Sequence, residues 1–247
     1  MFNIFKKKDK LLKEDISLSA LKTDIHSHLI PNVDDGSKSM EESISLIRQL
    51  KSFGYEKVIT TPHVFYNSFP DGIEVLDEKL KELQREVERN NINIEIALGC
   101  ELLLDEDVSD RMEKKQIRTF SDNYLLVEFP MNTLPMAYEN WLFDLQLRGY
   151  KLVLAHPERF LYFFEDKRKY ALLKDREIIF QSNIASISGY YGEDVRKAVE
   201  YLIKENMVEL LGTDCHGQRH IEAIKRTLRN PLLEQLILSG KLINNKL

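Results

Sequence analysis

A chain of 247 residues, 43% hydrophobic and 30% charged, can bury a full core and fits one large α/β domain. Its formal net charge of -5 gives no broad basic footprint for nucleic acid, and two cysteines without CxxC spacing exclude a thiolate zinc site and a disulfide framework. No apolar run approaches the ~20 residues that cross a bilayer and the N-terminus lacks a secretory apolar core, so no transmembrane segment and a cytoplasmic location are expected.

The opening MFNIFKKKDK mixes Phe2, Ile4 and Phe5 with Lys6, Lys7, Lys8 and Lys10. It reads as a solvated basic and apolar tail over 1–20, with weak contact to an anionic membrane as the alternative. One domain then fills 21–247. Its first apolar run, 22–26, is a strand, and Met40, Ile44, Ile47 and Leu50 make a helical stripe that starts after Ser37–Ser39 and stops at Gly54. A strand at 57–62 precedes a helix at 73–90, where Val75, Leu76, Leu80, Leu83 and Val87 recur among charged residues. Strands at 94–100, 124–129, 151–155, 178–182 and 208–212 follow. Helices are predicted near 105–115, 136–148, 166–175, 192–206 and 219–239, the last broken near Pro231.

Such alternation implies parallel strands joined by right-handed crossovers. Polar residues gather at the C-terminal ends of the runs: His63, Glu101, Glu128, His156, Asn183 and Asp214. A closed parallel barrel puts those ends on one face, whereas an open doubly wound sheet does not bring so many round one point. A closed parallel barrel, α/β in class and built from these seven runs, is therefore expected.

The residues at that face have the chemistry of metal ligands. His26 and His28 stand two apart on one strand, so both side chains project to the same side and can chelate one ion. In the loop VDDG, Asp34 and Asp35 suit either a hydrogen-bonded turn or a ligand, and which of them binds stays open. Glu101 ends IALGCE and Glu128 ends LLVE. A carboxylate continuous with an apolar strand is costly to bury unpaired, and a metal removes that cost. His63 in TTPH, His156 in AHPER, and Asp214 with His216 in GTDCH complete a set of imidazole and carboxylate donors suited to borderline divalent ions.

The run TDIHSHLIPNVDDGSKSMEESI, followed in order by TTPH, LGCE, LLVEF, LAHPER and GTDCH, resembles the PHP (polymerase and histidinol phosphatase) superfamily. More closely it is similar to the bacterial metal-dependent protein tyrosine phosphatases encoded with capsule and exopolysaccharide genes, over about 22–240. The resemblance implies a distorted seven-stranded (β/α) barrel with a metal cluster of up to three divalent ions at its C-terminal mouth, manganese first and iron or zinc as alternatives. His26, His28, Glu101 and Asp214 would hold one; Glu101 would bridge to a second held by Glu128 and His156; Asp35, His63 and His216 would hold a third. It also implies arginines at the mouth. Arg159 matches, and Arg219 matches only if the loop after His216 is shortened.

The implied substrate is a phosphotyrosine protein, in particular the C-terminal tyrosine-rich tail of a membrane tyrosine kinase that controls polysaccharide synthesis. That would draw the enzyme near the inner membrane. Four ligand carboxylates against three divalent ions leave the site at about +2, which suits a phosphate dianion attacked by metal-activated water. The competing functions are hydrolysis of a small phosphomonoester such as histidinol phosphate, and metal binding without turnover.

A thiol mechanism is excluded by spacing. A cysteine phosphatase needs five residues between its Cys and its Arg, but that position holds Glu106 after Cys100 and Ile221 after Cys215. Both cysteines are expected to be core. Phe65, Tyr66 and Phe69 suit either an aromatic wall for a substrate ring or packing under a loop; Phe160, Tyr162, Phe163 and Phe164 are expected to pack. Trp141 and Met136 read as core or interface, and His220 as a surface or helix-start residue outside the ligand set.

Overall fold

Short parallel strands alternate with helices along the chain. The computed structural model describes residues 15–65, 68–69 and 72–247, so most of the expected tail and Tyr66 lie outside the described residues. In order the elements are β1 (Thr23–Asp24), α1 (Met40–Ser52), β2 (Lys57–Thr60), β3 (His63–Val64), α2 (Val75–Arg89), β4 (Glu95–Leu98), β5 (Glu101–Leu103), α3 (Val108–Glu113) and β6 (Tyr124–Glu128). Then come α4 (Tyr138–Leu147), β7 (Lys151–Ala155), a 3-10 turn (Pro157–Arg159), α5 (Leu161–Glu165), α6 (Arg168–Asp175) and β8 (Ile179–Asn183). The chain continues through α7 (Ile184–Ile187), α8 (Glu193–Lys204), β9 (Leu210–Gly212), α9 (Gln218–Thr227) and α10 (Pro231–Leu238).

Two sheets carry the strands, β1-β2-β4 and β3-β5-β6-β7-β8-β9, and every neighbouring pair is parallel. Among the described residues nine strands thus replace the seven expected. The strand expected at 57–62 ends at Thr60 and another starts at His63, with Pro62, which has no N–H to give to a ladder, in the gap; the strand expected at 94–100 likewise ends at Leu98 and another starts at Glu101. Across this double break Gly99 N donates to Thr60 O at 2.9 Å and Glu101 N to Pro62 O at 3.0 Å, which keeps the interrupted strands side by side. Ser27 and Cys215 form an isolated parallel bridge. Around it, Asp214 N donates to His26 O at 2.8 Å and His28 N to Cys215 O at 3.0 Å, joining the chain after β1 to the chain after β9.

Apolar side chains form two clusters. The larger lies between helices and strands and includes Ile44, Ile47 and Leu50 of α1 and Leu83 of α2. The smaller gathers Ile25, Ile59, Leu126, Val153 and Leu210, one from each of five strand regions, with Phe120 and Ala155. The buried carboxylate of Asp24 accepts from Thr213 N at 2.9 Å and Thr213 Oγ1 at 2.5 Å, tying β1 to the residue after β9. Burial pushes its pKa up to about 6 against those bonds.

Local signals account for the starts of α1 and α10. Ser39 caps α1 by accepting from Glu42 N at 3.2 Å. The expected break near Pro231 separates α9 from α10, where Pro231 takes the first helical position and Asn230 accepts from Leu232 N at 2.9 Å. Helices α5 and α7 are additional, being too short for a periodic pattern. Trp141 is buried, but Met136 is fully exposed and belongs to no core.

Candidate metal centre

Nine side chains from seven segments of strand and loop converge at one mouth. Immediately after β1, His26 and His28 are fully buried. The backbone packs against them so closely that a Cβ on Gly212 would lie 2.8 Å from His26 Cβ, and one on Gly36 would lie 2.5 Å from His28 Cβ. Only glycine fits at either position.

Glu101, the first residue of β5, is the hub. Its Oε2 lies 3.0 Å from His26 Nε2, 3.3 Å from His28 Nε2 and 3.2 Å from His63 Nδ1, while Oε1 lies 3.0 Å from His156 Nε2. Asp214 Oδ1 lies 3.3 Å from His26 Nε2 and 3.5 Å from His28 Nε2. Glu128 Oε1 is 3.2 Å from His63 Nδ1. Asp35 Oδ1 stands 3.2 Å from His216 Nε2 and 3.5 Å from His63 Nε2.

Three groups have donor atoms within 4.8 Å of one another: His26, His28, Glu101 and Asp214; His63, Glu101 and Glu128; and His28, Asp35, His63 and His216. The first is the expected quartet. In the second, His63 stands where His156 was expected; His156 touches Glu101 but lies 3.8 Å from Glu128. The third adds His28 to the expected trio.

The neighbouring aspartates divide their work. Asp34 is turned inward, where it accepts from Gly36 N at 2.9 Å, His63 N at 3.2 Å and His28 Nδ1 at 2.8 Å. Asp35 is mostly exposed, at 73%, with its carboxylate turned toward the His63 and His216 rings. The geometry therefore makes Asp34 the orienting partner of His28 and leaves Asp35 with a free donor face.

His26 and His216 are oriented in the same way. His26 Nδ1 donates to Gln181 Oε1 at 2.8 Å, and His216 Nδ1 to the carbonyl of Asp214 at 3.0 Å. Each bond occupies Nδ1 and turns Nε2 toward the mouth, where it meets either a proton or a cation. Gln181 Nε2 donates on to Asn183 Oδ1 at 2.9 Å, and Asn183 Nδ2 to Asp214 Oδ2 at 2.7 Å. The chain's residue types had pointed to the converging imidazoles and carboxylates but not to Gln181; its one available signal was an amide directly after the apolar residues Ile178, Ile179 and Phe180.

This donor set suits divalent cations. His26 and His28 present Nε2 atoms 3.2 Å apart beside two carboxylates, and His156 Nδ1 is buried without a hydrogen-bond partner. Converging lone pairs of that kind need either protons or cations between them. In the metal-free state protons serve. Burial alone would lower the pKa of His63, but Glu101 and Glu128 outweigh it and hold the ring at about 9. A hydrogen bond from His216, opposed by partial burial, holds Asp35 down at about 2.

A histidine raised in this way stabilises the fold fully below its ordinary value of 6.5, and the contribution is lost as pH rises through about 9. Metal-free protein is therefore expected to lose thermal stability between those limits, and the same deprotonation favours metal binding. Thermal melts in chelator across this window check it; rising stability would contradict it.

Backbone strain accompanies the site. His156 (φ 34°) and Asp214 (φ 49°) both adopt left-handed conformations just past their strands. These bends turn the chain from strand into mouth loop.

A cavity of about 390 Å³ opens above the cluster, lined by Asp35, His63, Glu128, Met131, Arg159, Tyr191, Asp214, His216 and His220. Arg159 reaches it, with Nη1 3.0 Å from Asp214 Oδ2. Arg219 does not line it and is exposed in the first turn of α9, so the geometry does not bring it to the mouth. His220 does occur at a helix start, but it faces the cavity rather than the surface: its ring centroid is 5.3 Å from that of His216, and burial pushes its pKa down to about 4.

Phe160 and Phe163 are buried and pack edge to face with Phe129, as expected for that aromatic run. Phe69 is buried and Phe65 half-exposed. Cys100 and Cys215 are buried free thiols, and burial pushes both pKa values up, Cys100 to about 12.

Residues 22–231 match the family model described as capsular polysaccharide synthesis, CpsB/CapC. The chain belongs to this family. Among relatives, it is 28% identical over 195 residues to tyrosine-protein phosphatase YwqE of Bacillus subtilis, covering 78% of this chain and 77% of YwqE. It is 29% identical over 200 residues to tyrosine-protein phosphatase CpsB of Streptococcus pneumoniae, covering 78% of this chain and 82% of CpsB. A solved structure from work on YwqE and CpsB, described there as metal-dependent tyrosine phosphatases, superposes with a TM-score of 0.75 at 26% identity, over 90% of this chain and 94% of the other. An amidohydrolase from Mycoplasma synoviae shares the fold alone, at a TM-score of 0.50 and 14% identity.

Proposed function

We propose that this chain is a metal-dependent protein tyrosine phosphatase. The observation that carries the reading is the convergence of bare imidazole and carboxylate donors beneath an open cavity that also receives Arg159. His26, His28, Asp35, His63, Glu101, Glu128, His156, Asp214 and His216 are assigned as ligands to as many as three divalent ions, manganese first and iron or zinc as alternatives. The two sheets are read as one distorted barrel. The Ser27–Cys215 bridge and the small inner cluster of Ile25, Ile59, Leu126, Val153 and Leu210 support that closure.

When bound, divalent ions polarise phosphoryl oxygens and activate water as a nucleophile. The chain's own residues do the rest. Gln181 and Asp34 keep the His26 and His28 rings turned inward, so the donor set is preorganised. Arg159 offers planar N–H donors to the phosphoryl group. A phenol with pKa near ~10 leaves with less proton assistance than an alkyl alcohol, so no general acid is assigned; His220 and Tyr191 shape the wall beside it.

The proposed substrate is a phosphotyrosine protein, in particular the tyrosine-rich tail of a membrane tyrosine kinase, met in the cytoplasm beside the inner membrane. Among the described residues no helix is long and apolar enough to cross a membrane. Metal-reconstituted protein should hydrolyse a phosphotyrosine peptide at least about tenfold faster than a phosphoserine peptide or histidinol phosphate, with chelator abolishing turnover. Equal rates on all three substrates would remove the tyrosine assignment. Full metal occupancy without any turnover would point instead to a binding protein.

A further inference from the structure

Arg159 is held from two sides by groups that the ligand set does not explain. Its backbone is fixed by the preceding residue: buried Glu158 accepts from Asn183 N at 2.8 Å and from Ser186 Oγ at 2.8 Å, pinning the 3-10 turn to the start of α7. That fixes where the side chain begins but not where the guanidinium ends. The head is bonded through Nη1 to Asp214 Oδ2 at 3.0 Å, and its Cζ lies 4.6 Å from the centroid of the Tyr191 ring.

Tyr191 is itself anchored. Its hydroxyl donates to Asp214 Oδ2 at 3.3 Å and accepts from Asn183 Nδ2 at 3.4 Å. Its ring meets Tyr190 edge to face at 4.8 Å. It sits in a short turn between α7 and α8 whose Gly189 and Gly192 both have positive φ, so the backbone can bend sharply toward the mouth. Among the described residues only Nη1 of Arg159 is bonded, which leaves Nε and Nη2 for an incoming anion. An arginine tethered at one nitrogen alone would swing about that bond; a flat aromatic face against the guanidinium plane removes the swing.

We propose that Tyr191 is a positioning residue: its ring holds the Arg159 guanidinium in the plane in which Nε and Nη2 meet a phosphoryl group over the metal centre. The inference rests on the phosphatase reading for its substrate but concerns a contact between two of this chain's own residues.

A double-mutant cycle tests it on the metal-loaded enzyme, with Tyr191→Leu, Arg159→Ala and the pair, and Tyr191→Phe as the conservative replacement. Two quantities are read: the Kd of inorganic phosphate by titration calorimetry, and kcat and KM on a phosphotyrosine peptide. Tyr191→Leu should weaken phosphate binding and raise KM by about tenfold, on the scale of a desolvated cation–π contact. Tyr191→Phe, which keeps the ring but loses the hydroxyl's bonds to Asp214 and Asn183, should lose clearly less than Tyr191→Leu in both quantities, and in the Arg159→Ala background Tyr191→Leu should add less than about twofold. An equal loss in both backgrounds would overturn the proposal, because general loosening of the fold gives that pattern and positioning of Arg159 does not. No loss in either background overturns it too. A wild type that binds phosphate yet leaves the peptide intact would sink the phosphatase reading alone, since the calorimetric cycle still reports on Tyr191.

Discussion

Glu101→Gln should leave phosphotyrosine hydrolysis slower by at least about a thousandfold and lower the bound metal. Four imidazoles face this one carboxylate within 3.3 Å, and it belongs to two of the three donor groups. Glutamine keeps the shape but removes the charge, and it replaces one acceptor oxygen with an N–H₂ donor among groups that also need to donate or to bind a cation. Loss of about 4 kcal/mol of electrostatic stabilisation corresponds to that thousandfold. Metal analysis beside kcat/KM checks it, and a full metal complement with near-normal rate would remove Glu101 from its central role. The same variant carries a second expectation. Without the Glu101 charge the His63 pKa falls toward its ordinary value, so the stability lost between pH 6.5 and about 9 in metal-free wild type should shrink.

Arg159→Ala is expected to part binding of metal from turnover. Among the described residues Arg159 contacts the donor set only through Asp214 Oδ2, whereas Oδ1 of the same carboxylate faces His26 and His28. Asn183 Nδ2, 2.7 Å from Oδ2, remains to hold the carboxylate when the guanidinium is gone. Metal content should therefore survive while kcat/KM falls by about a hundredfold, the usual scale for losing one preorganised charge-stabilising donor. Arg159→Lys should recover only part of the rate, since an ammonium retains charge but loses the planar fork and its stacking on Tyr191. Loss of metal together with activity in Arg159→Ala would show that the arginine supports the ligands rather than the substrate.

The donor side chains that converge at the mouth were legible because all but Asp35, which lies in a loop, sit at the ends of apolar runs, where a charged or imidazole side chain has no reason to be unless something pairs with it. The choice between Asp34 and Asp35 was not legible. Two identical side chains in one loop differ only in the direction the backbone gives them, and the bonds from Gly36 N and His63 N set that direction. Tyr191 was hidden for a different reason: 32 positions separate it from Arg159, and a tyrosine in a glycine turn carries no local sign of what it will meet. The extra strand breaks had a visible cause in Pro62, yet the matching break at Gly99 and Cys100 depends on pairing between neighbours, a tertiary property. The split near Pro231, by contrast, is local chemistry, and both the fixed φ and the missing N–H act within one turn.

The left-handed backbone at His156 and Asp214 has a consequence for evolution of this protein. Bent non-glycine residues cost roughly 1 to 2 kcal/mol apiece, more readily borne by aspartate than by histidine. Glycine would relieve that cost at either position while destroying the donor. At Asp214 the exchange would not even favour stability, because the carboxylate also accepts from Arg159, Asn183 and Tyr191, so the bend persists where the donor and its bonds together outweigh its cost.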